Sequence, residues 1–298
     1  MISQKIKKMS LGLGLMALLS ACGAYDVAEL KERDIDPSTF GGAIAEEYRK
    51  FVAFEADQMM DWPDANYFAA KALRVLGDPA AAQPEDFSKW NIDEQFLEDL
   101  EVGDKRLRVA MRFIQPKEVA QALARAITSF DCWVEQAEEG WQTDHITACQ
   151  TAFNDALKGL EAKTGIEITD AGEAKARLVV HHDLDQSHPR TEDLILIQSF
   201  ASKGWDDLHL HVHVVGHTDR SGSEEHNQKL SVSRALAVVN AIKATLPGEY
   251  TFSIEGLGET APAFATADGI KDIRNRRTEA EVTLSVDPQF PSIETAIR

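Results

Sequence analysis

Near residue 173 the hydrophobic pattern of this chain changes period. Before that point apolar residues recur at three- and four-residue intervals, as in Phe40, Ile44, Tyr48, Val52 and on to Met59, and strand signals are scarce. After it, short alternating runs take turns with helical ones. One packing layer cannot serve both patterns, so two domains are expected: an all-helical domain over residues 26–165 and a strand-and-helix domain over 173–287, with 288–298 as a tail. A length of 298 residues and an apolar content of 44% are enough for two separate cores.

In the helical part, one amphipathic helix starts at Phe40, and a second is expected from Asp64 as N-cap to Leu76, stopped by Gly77-Asp78-Pro79. Ala80 to Glu85 reads as a connector, followed by two shorter helical runs, around Phe96 and from Leu107 to Phe113. Pro116–Glu139 and Thr143–Ala162 then form a helical hairpin around the turn Gly140-Trp141-Gln142. Cys132 and Cys149 lie at nearly equal distances either side of that turn, so an antiparallel hairpin places them opposite each other and a disulfide is expected. No repeat of tetratricopeptide length is present. Trp62, Trp90, Trp133 and Trp141 are either structural or a shared binding surface.

The first residues carry Lys5, Lys7 and Lys8 ahead of an apolar run from Leu11 to Leu19, then Ser20 and Ala21, which is the layout of a signal peptide over residues 1–21. Leu19-Ser20-Ala21-Cys22 resembles the lipobox of bacterial lipoproteins, which implies lipidation of Cys22, with residues 22–25 as the anchored N-terminus. Each buried CH₂ of an acyl chain contributes about 0.8 kcal/mol, so more than one chain is needed for stable anchoring. Gly23, where an inner-membrane retention signal would place Asp, favours the outer membrane, with the protein facing the periplasm. The net charge of -18 is spread along the chain and argues against nucleic acid as a partner.

In the second part, Arg177–His182 reads as a strand, and Ser187 or His188 as the cap of a helix with Pro189 in its first turn, running through Leu194, Ile195 and Phe200. The run Leu208 to Val214 alternates with period two. A long helix follows from Glu224 to Leu246, then strands at Thr251–Glu255 and Glu279–Val286 with a short helix at Asp268–Arg274 between them. On the long helix Leu230, Ala237, Val238, Ala241 and Ile242 define an apolar stripe, and Arg234 falls inside it with Asn227 on the same side. A core-facing guanidinium is costly unless an anion or hydrogen-bond acceptors meet it. Asp219, at the end of the alternating strand, offers two answers: an internal Asp219–Arg234 ion pair, or a zwitterionic ligand whose ammonium meets Asp219 and whose carboxylate meets Arg234.

The run Gly216-His217-Thr218-Asp219, then Gly222, Asn227-Gln228-Lys229-Leu230-Ser231 and Arg234-Ala235, with Gly256-Leu257-Gly258, Pro262 and Asn275-Arg276-Arg277 further on, resembles OmpA-like peptidoglycan-binding domains of the OmpA C-terminal and Pal type. The resemblance covers roughly residues 175 to 287. It implies a two-layer α/β fold, a mixed sheet with helices on one face, and a non-catalytic role: Asp219 and Arg234 grip the amino and carboxylate groups of diaminopimelate in the peptide stem. Thr218, Asn227 and Leu230 match positions lining that pocket, and Arg276 and Arg277 match a basic pair facing or supporting it. His226, where an aromatic is common, and His181-His182, where a phenylalanine is common, depart from the pattern.

Three other readings compete. His209, His211 and His213 share one strand face at a spacing that suits a transition metal, although an outward, solvated face explains them equally and no metal or cofactor is expected. A wall-cutting enzyme would need a nucleophile or acid–base pair that no motif supplies, so no catalysis is expected. The helical domain could instead recruit an envelope protein partner, with wall binding serving only to localise the chain.

Overall fold

In the computed structural model, residues 25–114, 116–201, 209–245 and 249–285 are described. The signal peptide, Cys22, Leu208, Leu246 to Gly248 and the tail lie outside the described residues. The chain divides into two compact units, one up to Lys163 and one from Thr164 onward.

The first unit is helical. Residues 25–32 form α1, followed by α2 (Phe40–Phe54), α3 (Trp62–Gly77), α4 (Glu94–Phe113), α5 (Pro116–Glu139) and α6 (Thr143–Thr164). Thr39 caps α2 by accepting from the Gly42 amide. The helix then widens into a π-helical turn, Glu55–Met59, closed by Met60 at φ 60°, so Met59 belongs to that turn and not to the α2 stripe. α3 begins earlier than expected, because Asp61 rather than Asp64 is the N-cap: its carboxylate accepts from the Asp64 amide, with Pro63 in the first turn. The two short helical runs expected around Phe96 and Leu107 are one 20-residue helix, α4. It continues through Gly103, where a Cβ would come within 2.8 Å of the Trp133 ring, so this glycine serves close helix packing and does not end the helix.

Tyr48, Phe68, Leu100, Leu107, Ile127, Phe130 and Phe153 form the fully buried centre of this unit. Burial of each large apolar side chain contributes roughly 1.5–3 kcal/mol. Trp133 is buried among Phe130 and Phe153, and Trp90 stacks on Phe68, whereas Trp62 and Trp141 are exposed, so the four tryptophans do not make one surface. Cys132 and Cys149 form the expected disulfide across the α5–α6 hairpin, with Cα atoms 5.7 Å apart. A charged knot crosses the core: the buried Asp131 carboxylate accepts from Lys71 Nζ at 2.6 Å, from the Glu85 amide at 2.8 Å and from the Tyr48 hydroxyl. Lys71 also meets Glu85, which in turn accepts from Tyr67 and Trp90.

The second unit runs β1 (Ile166–Ile168), β2 (Glu173–His181), α7 (Thr191–Ala201), β3 (His209–Gly216), α8 (Glu224–Thr245), β4 (Glu249–Gly256) and β5 (Arg277–Ser285). The sheet order is β1-β2-β5-β3-β4, with β3 and β4 parallel and the other pairs antiparallel. This is the mixed sheet of an α/β domain. β1 lies in the stretch between the two expected domains; a three-residue strand is too short to show a period, yet Ile166 and Ile168 are buried. α7 starts at Thr191, later than expected, because Pro189 bridges to His182 and extends the sheet instead of opening the helix. Asp268–Arg274 forms turns, not a helix: Gly269 has φ 73°, and the Asp272 side chain accepts from the Arg274 amide.

Leu210, Val212 and Val214 take the buried side of β3 as the alternation requires. The buried stripe of α8 is rotated from the expected one: it runs through Asn227, Ser231, Arg234, Ala235, Val238, Val239 and Ile242, while Leu230, Ala237 and Ala241 are half-buried. The rotation follows from the glycines beneath. A Cβ on Gly216 would lie 1.9 Å from the Ser231 carbonyl oxygen, and one on Gly256 would lie 2.6 Å from the Ser231 hydroxyl, so α8 crosses the sheet on its small residue Ser231.

Candidate functional site

The β3 strand delivers Thr218 and Asp219 to the mouth of a cleft of about 280 Å³, facing the first turns of α8 and the loop after β2. Thr218, Asp219, Asn227, Leu230, Arg234 and Arg276 all line it. Arg277 does not. Its Nε donates to Glu279 at 2.6 Å and its Nη2 to the Ala261 carbonyl, while its own carbonyl accepts from the His217 amide at 2.9 Å, so it braces the site from behind.

Arg234 is fully buried. Its guanidinium donates to three backbone carbonyls: Nη1 to His217 at 2.8 Å, Nε to Gln186 at 2.9 Å and Nη2 to Asp183 at 3.1 Å. It thereby ties α8 to the loop after β2 and to the end of β3. Burial lowers its pKa to about 10, against the pull of Asp219, which leaves it cationic at neutral pH. A guanidinium has five N–H donors, so two remain beyond those three bonds.

The internal Asp219–Arg234 pair that the spacing allowed is not what holds either group. Asp219 instead pairs with Arg276, whose Nη1 lies 2.8 Å from Oδ2. It also accepts from the Ser221 amide and hydroxyl and from the Asp272 amide. Burial pushes the Asp219 carboxyl up, but the bonds from Ser221, Arg276 and Asp272 outweigh it and hold the group below the usual carboxylate range. The two charges therefore share one cleft while each is fixed by other partners. Asn227 Nδ2 donates to the Asp219 carbonyl at 3.3 Å and to Glu259 at 2.6 Å, which sets the β3–α8 turn. Thr218 anchors its amide on the Gly258 carbonyl at 2.8 Å, and its buried hydroxyl has no hydrogen-bond partner among the described residues.

Gly222 of the motif also lines the cleft, as do Leu184, Asp185, Ser221 and Lys271, which were not singled out from the sequence. Asp185 stands at φ 59° and accepts from His226 across the rim at 2.7 Å. The one sequence signal for it was the acidic loop Asp183-Leu184-Asp185 directly after a strand ending at the same edge as β3. His182, at a position where the resemblance expects phenylalanine, is buried; its ring nitrogens meet Thr278 Oγ1 at 2.8 Å and the His188 carbonyl at 3.0 Å. Burial, with Arg234 nearby, lowers its pKa to about 4, so it stays neutral. On the other sheet face His211 bonds Thr251 and His213 bonds Ser253; His209's side chain lies outside what is described. Among the described residues no group of three or more histidine, cysteine or acidic side chains is arranged to hold a metal ion.

Residues 181–276, which contain every element of this cleft, match the OmpA family. This stretch is an OmpA family domain. The chain is 44% identical over 59 residues to outer membrane protein A of Klebsiella aerogenes, covering 20% of this chain and 17% of that protein. It is 33% identical over 113 residues to outer membrane porin F of Pseudomonas aeruginosa, covering 36% of this chain and 31% of that protein. The chain thus spans less than a third of the length of either relative. Among solved structures, the peptidoglycan-associated lipoprotein from Burkholderia pseudomallei overlaps at 26% identity and a TM-score of 0.31, covering 35% of this chain and 88% of that one. The OmpA match begins at His181, so the whole helical unit lies outside it.

Proposed function

We propose that the chain is a non-catalytic envelope lipoprotein that holds peptidoglycan through its OmpA domain and, acylated at Cys22, tethers the outer membrane to the wall. The observation that carries this reading is the separation of charge in the cleft. Arg234 is buried and cationic with carbonyls as its bonded partners, and Asp219 is anionic in the same cavity, bonded elsewhere. A cleft that keeps its own opposite charges apart suits a ligand bearing both. The free end of diaminopimelate in a stem peptide is such a ligand: its carboxylate would take the two remaining Arg234 N–H groups and the Thr218 hydroxyl. Its ammonium would meet Asp219 as the Ser221 hydroxyl rotates away.

Sedimentation of the chain with purified peptidoglycan tests this. Wild type is expected to co-sediment and to be released by free diaminopimelate, with Asp219→Asn at least about tenfold weaker, the equivalent of one charge-assisted contact. A folded wild type that stays in the supernatant would contradict the reading. Thermal melts of each variant separate lost binding from lost fold, which matters because Arg234 and Asp219 also hold loops.

A further inference from the structure

In the helical unit, where the π-helical turn meets α5, two carboxyl groups are buried side by side. Glu55 is 0% exposed and Glu135 1%. The Gln136 side-chain amide joins them, donating to Glu55 Oε1 at 3.2 Å and to Glu135 Oε2 at 2.8 Å. Glu55 Oε2, Glu135 Oε1 and Gln136 Oε1 have no hydrogen-bond partner among the described residues. The charged groups acting on this contact are acidic from every side: Glu139 from α5, Asp61 from the turn before α3 and Asp64 from α3 itself, with Glu138 acting on Asp64 and Glu139. Among the described residues the one basic group acting here, His145 on α6, acts on Glu139 and not on the buried pair. An ionised carboxylate without a counter-charge is not tolerated at this depth, whereas a neutral acid bonded to an amide is.

We propose that the Glu55–Gln136–Glu135 contact is a proton-operated catch that clamps the π-helical turn to α5 while both carboxyls hold their protons and lets the turn open when they ionise. The position suits a moving part. Short π-helical segments mark functional irregularities in helices. Glu55 is also the backbone hub of the turn, its carbonyl accepting from the amides of Met60 and Asp61. Asp61 caps α3, so opening at Glu55 would fray the start of that helix and free the exposed Met60 and Trp62 from the unit. Burial, reinforced by the surrounding acids, raises Glu55 to about 8 and Glu135 to about 9, so opening is favoured progressively as pH rises from the ordinary value of 4.5 through these two.

The test is backbone hydrogen exchange of the full chain, read at residues 51–64 and 131–139 from about pH 5 to about pH 10 and corrected for intrinsic base catalysis. For wild type, the open population of these segments should climb steeply as the carboxyls titrate, by up to about tenfold per pH unit for each proton released. In Glu55→Gln/Glu135→Gln, which keeps shape and cannot ionise at these two positions, the climb should be much shallower, leaving only what Asp64 and Glu139 contribute. A corrected wild-type profile without pH dependence, or one matching the double variant, would overturn the proposal. Should the double variant fail to fold, infrared spectra of wild type at neutral pH decide: a carbonyl band from protonated carboxyls that vanishes on alkalinisation supports the catch, and its absence refutes it.

Discussion

Both units bury charge, and they do so in opposite ways. Arg234 in the α/β unit and the Glu55–Glu135 pair in the helical unit are equally hidden from water. The arginine stays ionised because its ordinary pKa is so far above neutrality that a fall to about 10 changes nothing, and because three backbone carbonyls accept hydrogen bonds from it. The glutamates start from an ordinary value of 4.5, have no cation beside them among the described residues, and are raised to about 8 and about 9, where they hold their protons at neutral pH. Asp131 stands between these cases: burial raises its pKa as it does that of Glu55, but Lys71 2.6 Å away and the bonds from Tyr48 and the Glu85 amide pull against that rise. Depth alone therefore does not decide whether a buried group keeps its charge. The neighbours and the distance from its ordinary pKa do.

The comparison can be broken first at Arg234. Arg234→Met leaves the Asp183, Gln186 and His217 carbonyls without their donor, and should cost the α/β unit about 5 kcal/mol, read from its denaturant midpoint. Next is Lys71→Met, which strands Asp131 and Glu85 without a cation and should cost the helical unit about 4 kcal/mol. If this variant is as stable as wild type, compensation by Lys71 is not what Asp131 depends on. Loss of the Cys132–Cys149 crosslink, which closes a separation of 17 residues, should cost about 3 kcal/mol. Its signature is a lower melting transition for the helical unit under reductant with the α/β transition unmoved.

The remaining effect concerns pH and is read as a slope, not as the cost of one substitution. The folded pKa values of Glu55 and Glu135 are raised above the unfolded value of 4.5, so their stabilising effect is complete below that value. It is lost as pH rises from there through about 8 and 9, at up to about 1.4 kcal/mol per pH unit per carboxyl. Denaturation of Glu55→Gln/Glu135→Gln over that window should show this slope removed, while the slope of the α/β unit is unchanged.

What was legible in the sequence follows the same division. Arg234 stood out because a cation interrupted an otherwise apolar helical stripe, and the glycine-bounded run around Asp219 fixed where that helix meets the sheet. The partner of Asp219 was not legible: two consecutive arginines stand at the entry to β5, and nothing in their order tells that Arg276, just before the strand, turns into the cleft while Arg277, its first residue, braces the site from behind. The loop residues Asp185 and Lys271 join the site from distant positions with no periodicity to mark them. Glu55 and Glu135 were invisible because glutamate on an amphipathic helix ordinarily faces water. At Glu55 a π-helical turn, which shifts the phase of the helix, begins where regular spacing would be assumed. The continuity of α4 was not legible either: the runs around Phe96 and Leu107 are joined through Gly103, which packs against the Trp133 ring, a neighbour the sequence does not reveal.

Calorimetric titration of the chain with free diaminopimelate, alongside pimelate and cadaverine, tests the central claim most directly. Saturable binding of diaminopimelate, with neither the dicarboxylate nor the diamine binding comparably, is the result expected of a cleft that holds Asp219 and Arg234 apart for one zwitterion. Equal binding of pimelate, or no binding of diaminopimelate by the folded chain, would contradict it.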